Sequence, residues 1–328
     1  MSGDARVVVS GARPTGRLHL GNYHGALANW VRLQHEHACL FFVADWHALT
    51  TEWADAGALR RNVLDMVLDW LAIGLDPERC TIFRQSAVAE HAELFLLLAM
   101  VVPVPWLERT PTYKEQREQL ASRDLSTFGF LGYPVLQAAD VLLYKATAVP
   151  VGVDQAPHIE LAREIARRFN ATYAPVFPEP ETMLTATPKI LGTDGRKMSK
   201  SYDNAVYLTE PSADVDRKLS RMVTDARRAR RTDPGVPEEC PAYTSFHRTY
   251  CTAEELAWQA EGCRSATIGC LECKKVMIGH VLAELEPIRE RRAGLRDDDA
   301  RAVLAAGNAR ASAIARETMA EVREAVGL

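Results

Sequence analysis

The sequence predicts an α/β protein, a doubly wound parallel sheet followed by a smaller all-helical domain. Two observations carry that expectation, and a third marks the second domain. Short apolar strand patterns alternate with amphipathic helical patterns through the first half of the chain, and strands become scarce after Asp203. Five of the seven cysteines gather in the strand-poor part, between Cys240 and Cys273. Strand–helix alternation favours parallel pairing, because parallel neighbours need a crossover long enough to hold a helix.

Arg6 to Ser10 reads as a short strand of valines, and Leu20 to Leu33 as a helix. CLFFVADW, from Cys39 to Trp46, is a continuous apolar strand bounded by polar residues, as in a sheet covered on both faces. Leu64, Val67, Leu68 and Leu71 repeat at i, i+3, i+4 and i+7, an amphipathic helix that stops near Gly74. CTIFRQS then resumes a strand. After a helical run from Leu94 to Val102, three prolines break the stretch from Met100 to Lys114 into loop and short pieces. GYPVLQAADVLLY reads as a helix entered from a turn, KATAVPVGVDQ as strand and loop, and HIELAREIARRFN as a strong helix. The expected division is a catalytic domain over 1–190, a loop over 191–202, a helical domain over 203–290, and a C-terminal helix over 291–328 packing back on the first domain.

Composition narrows the class. With 47% hydrophobic and 25% charged residues the chain reads as an ordinary globular protein, and no run of about 18 apolar residues suggests a membrane span. The opening MSGDARVVVS lacks the basic head and apolar run of a signal peptide, so a cytoplasmic protein is expected. A net charge of −4 excludes a chain that is basic all over, yet Arg227, Arg228, Arg230 and Arg231 concentrate positive charge locally.

Two motifs carry chemistry. In R-P-T-G-R-L-H-L-G-N a strand runs through a Pro/Gly turn into a helix, which aims backbone N–H groups and the positive helix end at a phosphate chain. Gly16 and Gly21 allow close approach, Arg13 and Thr15 offer donors, and His19 can donate to a phosphoryl oxygen. In G-R-K-M-S-K-S, Gly195 to Ser201, two lysines three apart among small residues make a cationic loop fit to neutralise a leaving pyrophosphate. The cysteines supply a third signal. Cys240, Cys263, Cys270 and Cys273 form C-x22-C-x6-C-x2-C, a four-thiolate set suited to zinc or a 4Fe-4S cluster. Cys251 stands outside that pattern, and Cys39 and Cys80 read as small buried hydrophobes.

Together HLGN and KMSKS resemble the HIGH and KMSKS elements of class I aminoacyl-tRNA synthetases, with Asn22 in place of the usual final His, a variation of the tryptophanyl branch. VGVDQAPHIELAREIARRFN and GYPVLQAADVLLY resemble that branch's segments between the two motifs. The resemblance implies a Rossmann-like catalytic domain, a helical anticodon-binding domain and a homodimer. It implies that ATP, as its magnesium complex, is used to make tryptophanyl-adenylate from L-tryptophan, and that tryptophan then passes to tRNA(Trp). His19, Asn22, Lys197, Lys200 and Lys114 would stabilise the transition state. ATP would be held by Arg13, Pro14, Thr15, Gly21, Asn22, Gly152, Val153, Asp154, Ile190, Lys197, Met198, Ser199, Lys200 and Ser201. Asp140 would accept the indole N–H and Gln155 would meet the substrate's ammonium, with Tyr133, Gln137, Val149, Val151 and His47 walling the pocket. Indole offers a single donor, and a buried carboxylate unpaired without it rejects phenylalanine strongly. Gln137 also resembles the tyrosyl enzymes, and Arg13 replaces a Gln frequent in the tryptophanyl branch. A tyrosyl enzyme, a non-charging paralogue and a small-molecule nucleotidyltransferase are the alternative readings. The cysteine spacing resembles a bacterial tryptophanyl subset with a 4Fe-4S cluster, zinc being the alternative. Arg227 to Arg231, with Lys274 and Lys275, would face the anticodon loop.

Overall fold

The structure is a computed structural model and describes residues 6–53, 56–109, 127–184 and 190–328. Strand β1 (Val7–Ala12) leads into a short helix α1 (Leu20–Asn22), which continues through a π-turn (Tyr23–Leu27) into α2 (Ala28–Leu33). Then come β2 (Ala38–Val43), α3 (Asp45–Glu52), α4 (Leu59–Ala72), β3 (Cys80–Arg84), α5 (Glu90–Ala99) and α6 (Val104–Glu108). After these follow α7 (Phe128–Leu142), β4 (Ala148–Val151), α8 (Ala156–Thr172) and β5 (Glu181–Leu184). The five strands form one sheet, paired in parallel throughout, in the order β3-β2-β1-β4-β5. The chain winds outward from β1 to β3 and then returns to lay β4 on the other side of β1. Ligands of such sheets bind at that reversal, outside the carboxyl ends of the strands.

The continuous apolar strands are explained by burial on both faces. Val8, Phe41 and Ile82 point into one core with Trp30 and Trp70, while Val9, Phe42 and Phe83 point into the other with Val135 and Ile159. Trp30 stacks on Phe41 with ring centroids 4.5 Å apart, which locks α2 on the sheet. The first strand starts one residue later than the valine run suggests and extends to Ala12. Its Gly11 is required by packing, since a β-carbon there would meet the Phe42 ring at 2.4 Å. Helix α7 begins at Phe128, earlier than Gly132, because Thr127 caps it by accepting the Phe130 N–H. The strand β5 has no sequence signature, as ETML is short and without alternation, and it forms by pairing with β4.

Beyond the sheet are α9 (Ser212–Ser220), a π-turn (Tyr243–His247), α10 (Arg248–Tyr250), α11 (Ala253–Arg264), α12 (Cys270–Gly294) and α13 (Asp297–Val326). Thr252 and Glu255 cap α11 reciprocally. The apolar side of α12, from Met277 to Ile288, joins the core that contains Trp30. Helix α13 lies along the outer strand β3 and meets its edge groups. Asn308 Oδ1 accepts the Arg84 N–H at 2.9 Å, and Arg310 donates to the Cys80 carbonyl at 3.4 Å and, just before the strand, to the Pro77 carbonyl at 2.8 Å. A covered edge cannot template pairing with another chain. No helix among the described residues is long and apolar enough to cross a membrane.

Candidate active site

The loop after β1 and the loop after β4 meet at the reversal of strand order. Gly16, at φ +102°, turns the first loop in a conformation that L-residues rarely adopt. His19 caps the helix that follows. Its Nδ1 accepts the Asn22 N–H at 3.2 Å, and Asn22 Oδ1 accepts the His19 N–H at 3.1 Å. With Nδ1 as acceptor, the neutral ring carries its proton on Nε2. Burial and, after it, the Lys200 charge lower the His19 pKa to about 4. The imidazole is therefore neutral near pH 7, an N–H donor held at a helix N-terminus.

The GRKMSKS loop lies against this turn. Gly21 N–H donates to Met198 Sδ at 3.4 Å, and Lys200 Nζ donates to the Thr15 carbonyl at 3.0 Å. Beyond the loop, Leu20 N–H donates to Val206 O and Leu208 N–H to Leu18 O. Met198 is buried, while Lys197 and Ser201 are exposed. One residue that the motifs do not reveal organises the loop. Asn204, buried, donates through Nδ2 to Asp194 Oδ1 (2.7 Å) and Lys197 O (3.1 Å), and its Oδ1 accepts the Ser199 N–H (2.8 Å). A polar residue three past KMSKS that must satisfy three loop groups leaves no periodic trace in the sequence.

On the other side of the crevice Asp140 is fully buried on α7. Oδ1 accepts from Gln85 Nε2 and His91 Nδ1, and Oδ2 from His47 Nε2, each at 2.7 Å. His91 Nε2 pairs in turn with the Tyr144 hydroxyl at 2.8 Å. Burial by itself raises the Asp140 pKa, but the charge and hydrogen bonds of His47 and His91 outweigh it and hold the carboxyl below its ordinary range. A carboxylate has about four lone-pair positions, so three donors leave one on Oδ2. Gln85, His91 and Tyr144 carry no motif of their own in the sequence, where CTIFRQS reads only as a strand.

Tyr133 lies beside His158 (3.4 Å between hydroxyl and Nε2), and burial pushes its pKa to about 12 against the pull of the Arg13 charge. The charge of Arg13, on the first loop, is thus felt at Tyr133. Pro14, Val149 and Ile190 are buried, Val149 in the sheet's second core. Gln137, Val151, Gly152 and Gln155 are partly buried, and Val153 is exposed on the turn after β4. Lys114 falls outside the described residues, as does the side chain of Asp154.

Cys240, Cys263, Cys270 and Cys273 line one small cavity with Arg228, His247 and Lys274. Burial, reinforced by the other three cysteines, pushes the Cys273 thiol up to about 12. Bare thiolates are disfavoured in this cavity, and a bound cation would relieve that penalty. Among the described residues no three His, Cys, Asp or Glu side chains form a shell for a single metal ion. The basic surface expected here is corrected in part. Lys274 is buried, its Nζ donating to Ser220 O (2.9 Å) and Met222 O (2.5 Å), because the end of α9 leaves those carbonyls for it to satisfy. Arg228 is buried too, donating to the carbonyls of Arg231 and Ile268. Cys39 and Cys80 are buried, as small hydrophobes would be.

A family model described as tRNA synthetases class I (W and Y) matches residues 1–285. A tryptophan–tRNA ligase of Thermotoga maritima is 51% identical over 325 residues, covering 98% of this chain and 99% of its own. One of Aquifex aeolicus is 45% identical, covering 98% and 99%. Among solved structures, the Campylobacter jejuni tryptophanyl-tRNA synthetase, complexed with ADP and tryptophan, matches with a TM-score of 0.87 at 31% identity. It covers 98% of this chain and 100% of its own.

Proposed function

The chain belongs to the class I tRNA synthetases for tryptophan and tyrosine, as one of the tryptophan–tRNA ligases, and we propose the following roles for its residues. It activates L-tryptophan with ATP to tryptophanyl-adenylate and pyrophosphate, then passes tryptophan to tRNA(Trp). The observation that carries the proposed site is the seating of the GRKMSKS loop on the HLGN turn through Met198 and Lys200. That contact sets Lys200 beside a neutral His19 donor at a helix N-terminus, with Lys197 exposed on the same loop. A carboxylate oxygen of tryptophan attacks the α-phosphorus, and the bond to the β-phosphate oxygen breaks. His19 Nε2–H and Asn22 face the phosphoryl oxygens, while Lys197 and Lys200 neutralise the charge gathering on pyrophosphate. No residue has to take a proton, so positioning and charge carry the rate. Lys114 belongs to the same proposal. Magnesium travels with ATP on the phosphates, and Arg13, Thr15, Gly152, Asp154 and Ile190 hold the nucleotide.

Asp140 is the proposed acceptor of the indole N–H, and its single remaining lone pair supports that role. Three donors hold it ionised and aimed, so a side chain without an N–H leaves a buried acceptor unpaired. Such sites discriminate by about 10⁴ or more. Tyr133, Gln137, Val149, Val151 and His47 wall the pocket and Gln155 meets the ammonium.

Four cysteines around one cavity, with the buried cations Arg228 and Lys274 on its wall, support a 4Fe-4S cluster held by Cys240, Cys263, Cys270 and Cys273. A cluster there would staple the helical part of the chain, 203–290, which we assign to the anticodon. The exposed apolar side chains Leu96, Met100, Val104 and Phe128 support a homodimer. The proposal also places the enzyme in the cytoplasm. Its test is pyrophosphate exchange with each aromatic amino acid, followed by charging of tRNA(Trp). Exchange should need tryptophan. Equal exchange with tyrosine would overturn the pocket assignment, and exchange without charging would overturn the transfer step.

A further inference from the structure

The GRKMSKS loop and the cysteine cavity are joined by three contacts that neither motif predicts. The peptide group between Met222 and Val223 is held at both ends. Its carbonyl accepts from Lys274 Nζ at 2.5 Å, and its N–H donates to Thr193 O at 2.9 Å. Lys274 directly follows Cys273, and Thr193 is at the root of the loop. A charged donor on a carbonyl polarises the N–H of the same peptide and strengthens the next bond in line. Through its own N–H, on the neighbouring peptide, Thr193 also donates to the carbonyl of Asn204, the residue whose side chain organises the loop. The second contact is Ser245 Oγ, which accepts the Leu191 N–H at 2.8 Å from the turn that follows Cys240. The third is steric. Gly195 has φ +82°, and a β-carbon there would come within 3.1 Å of Val223 and 3.3 Å of Pro241, the residue after Cys240.

We propose that Lys274 and Ser245 are positioning residues for amino-acid activation, and that the cysteine module is the seat on which the GRKMSKS loop closes. The module then serves the adenylation step as well as the RNA. Both ends of the cavity wall bear on the loop, Cys240 through Pro241 and Ser245, and Cys273 through Lys274. The proposal rests on Gly195 to Ser201 being the activation loop and does not depend on what the cysteines hold.

The experiment compares Lys274→Met, Ser245→Ala and Ser245→Thr in the full-length protein. It follows tryptophan-dependent pyrophosphate exchange, trypsin cleavage after Arg196, Lys197 and Lys200, iron and zinc content, and thermal melting. Loss of either strut should lower kcat for exchange about tenfold, the effect of one strong hydrogen bond. The KM for tryptophan should stay within about twofold. Loop cleavage should accelerate and metal content hold in both variants, with melting kept in Ser245→Ala and lowered in Lys274→Met, whose two carbonyl partners lose their donor. Ser245→Thr, which keeps the hydroxyl, should recover the rate. Unchanged exchange with a raised KM for tRNA alone overturns the seat. So does a fall in kcat that only tracks a lower melting temperature and a parallel rise in tryptophan KM. Lys197→Ala separates the premise from the seat, because full exchange in that variant removes the loop reading itself and the proposal with it.

Discussion

At His19 one residue does two jobs that pull on the same proton. Its Nδ1 caps the helix and so must stay unprotonated, which leaves Nε2–H for the nucleotide. Its folded pKa of about 4 lies below the ordinary 6.5, so the unfolded chain takes up the proton first as pH falls. The stability His19 contributes is complete above pH 6.5 and drains away toward pH 4, on the order of 3 kcal/mol in all. His19→Gln should therefore flatten that part of a plot of urea-unfolding free energy against pH. An unaltered slope would show that the ring is not held neutral by the fold. Asp140 is the opposite case, a buried carboxylate kept charged by neighbours, and Asp140→Asn should cost far more in tryptophan activation than in folding. A fall in melting temperature with kcat and the KM for tryptophan both kept would count against its role as the indole acceptor.

Among the elements, α13 and α12 show how one residue type has opposite consequences. Gly307 of α13 crosses β3 so closely that a β-carbon would meet Ile82 O at 1.8 Å, whereas at Gly279 of α12 it would meet nothing within 4 Å. Gly307→Ala must push the helix off the strand edge that Asn308 and Arg310 satisfy, at a cost of roughly 1–3 kcal/mol or more. Gly279→Ala should instead gain about 0.5–1 kcal/mol, because alanine loses less backbone entropy in a helix. Denaturant melts of the two variants check the pair, and a shift of the same sign in both would refute the packing argument.

For the whole molecule, the helical part and the sheet are one packed body around Trp30, so events at the cysteine cavity reach the crevice through hydrogen bonds and packed side chains. Protein purified without oxygen should be brown with about four irons per chain. A colourless protein containing zinc would replace the cluster by a zinc site. The exposed apolar side chains just after α5 and at the start of α7, Met100 at 69% and Phe128 at 70%, should be covered in solution by a second copy. Sedimentation should give a dimer, with Met100→Glu and Phe128→Glu shifting it to monomers. A monomeric wild-type protein would overturn the assignment.

The alternation of strands and helices, the turn into a helix at HLGN, the cationic loop and the spacing of the four cysteines were all determined by the sequence alone. Each is local, written in spacings of a few residues that backbone geometry imposes. The family resemblance rests on the same short stretches. Only the tertiary structure decided which groups meet. Lys200 finds Thr15 across 185 residues, Gln85 finds Asp140 across 55, and Asn204 closes a loop whose motif ends before it. Lys274 looked like a surface cation and is instead a buried strut, because the carbonyls at the end of α9 needed a donor. The strand β5 exists because β4 offered it an open edge. Such pairings depend on which buried polar groups lack partners once the cores have formed, and that is a property of packing rather than of sequence period.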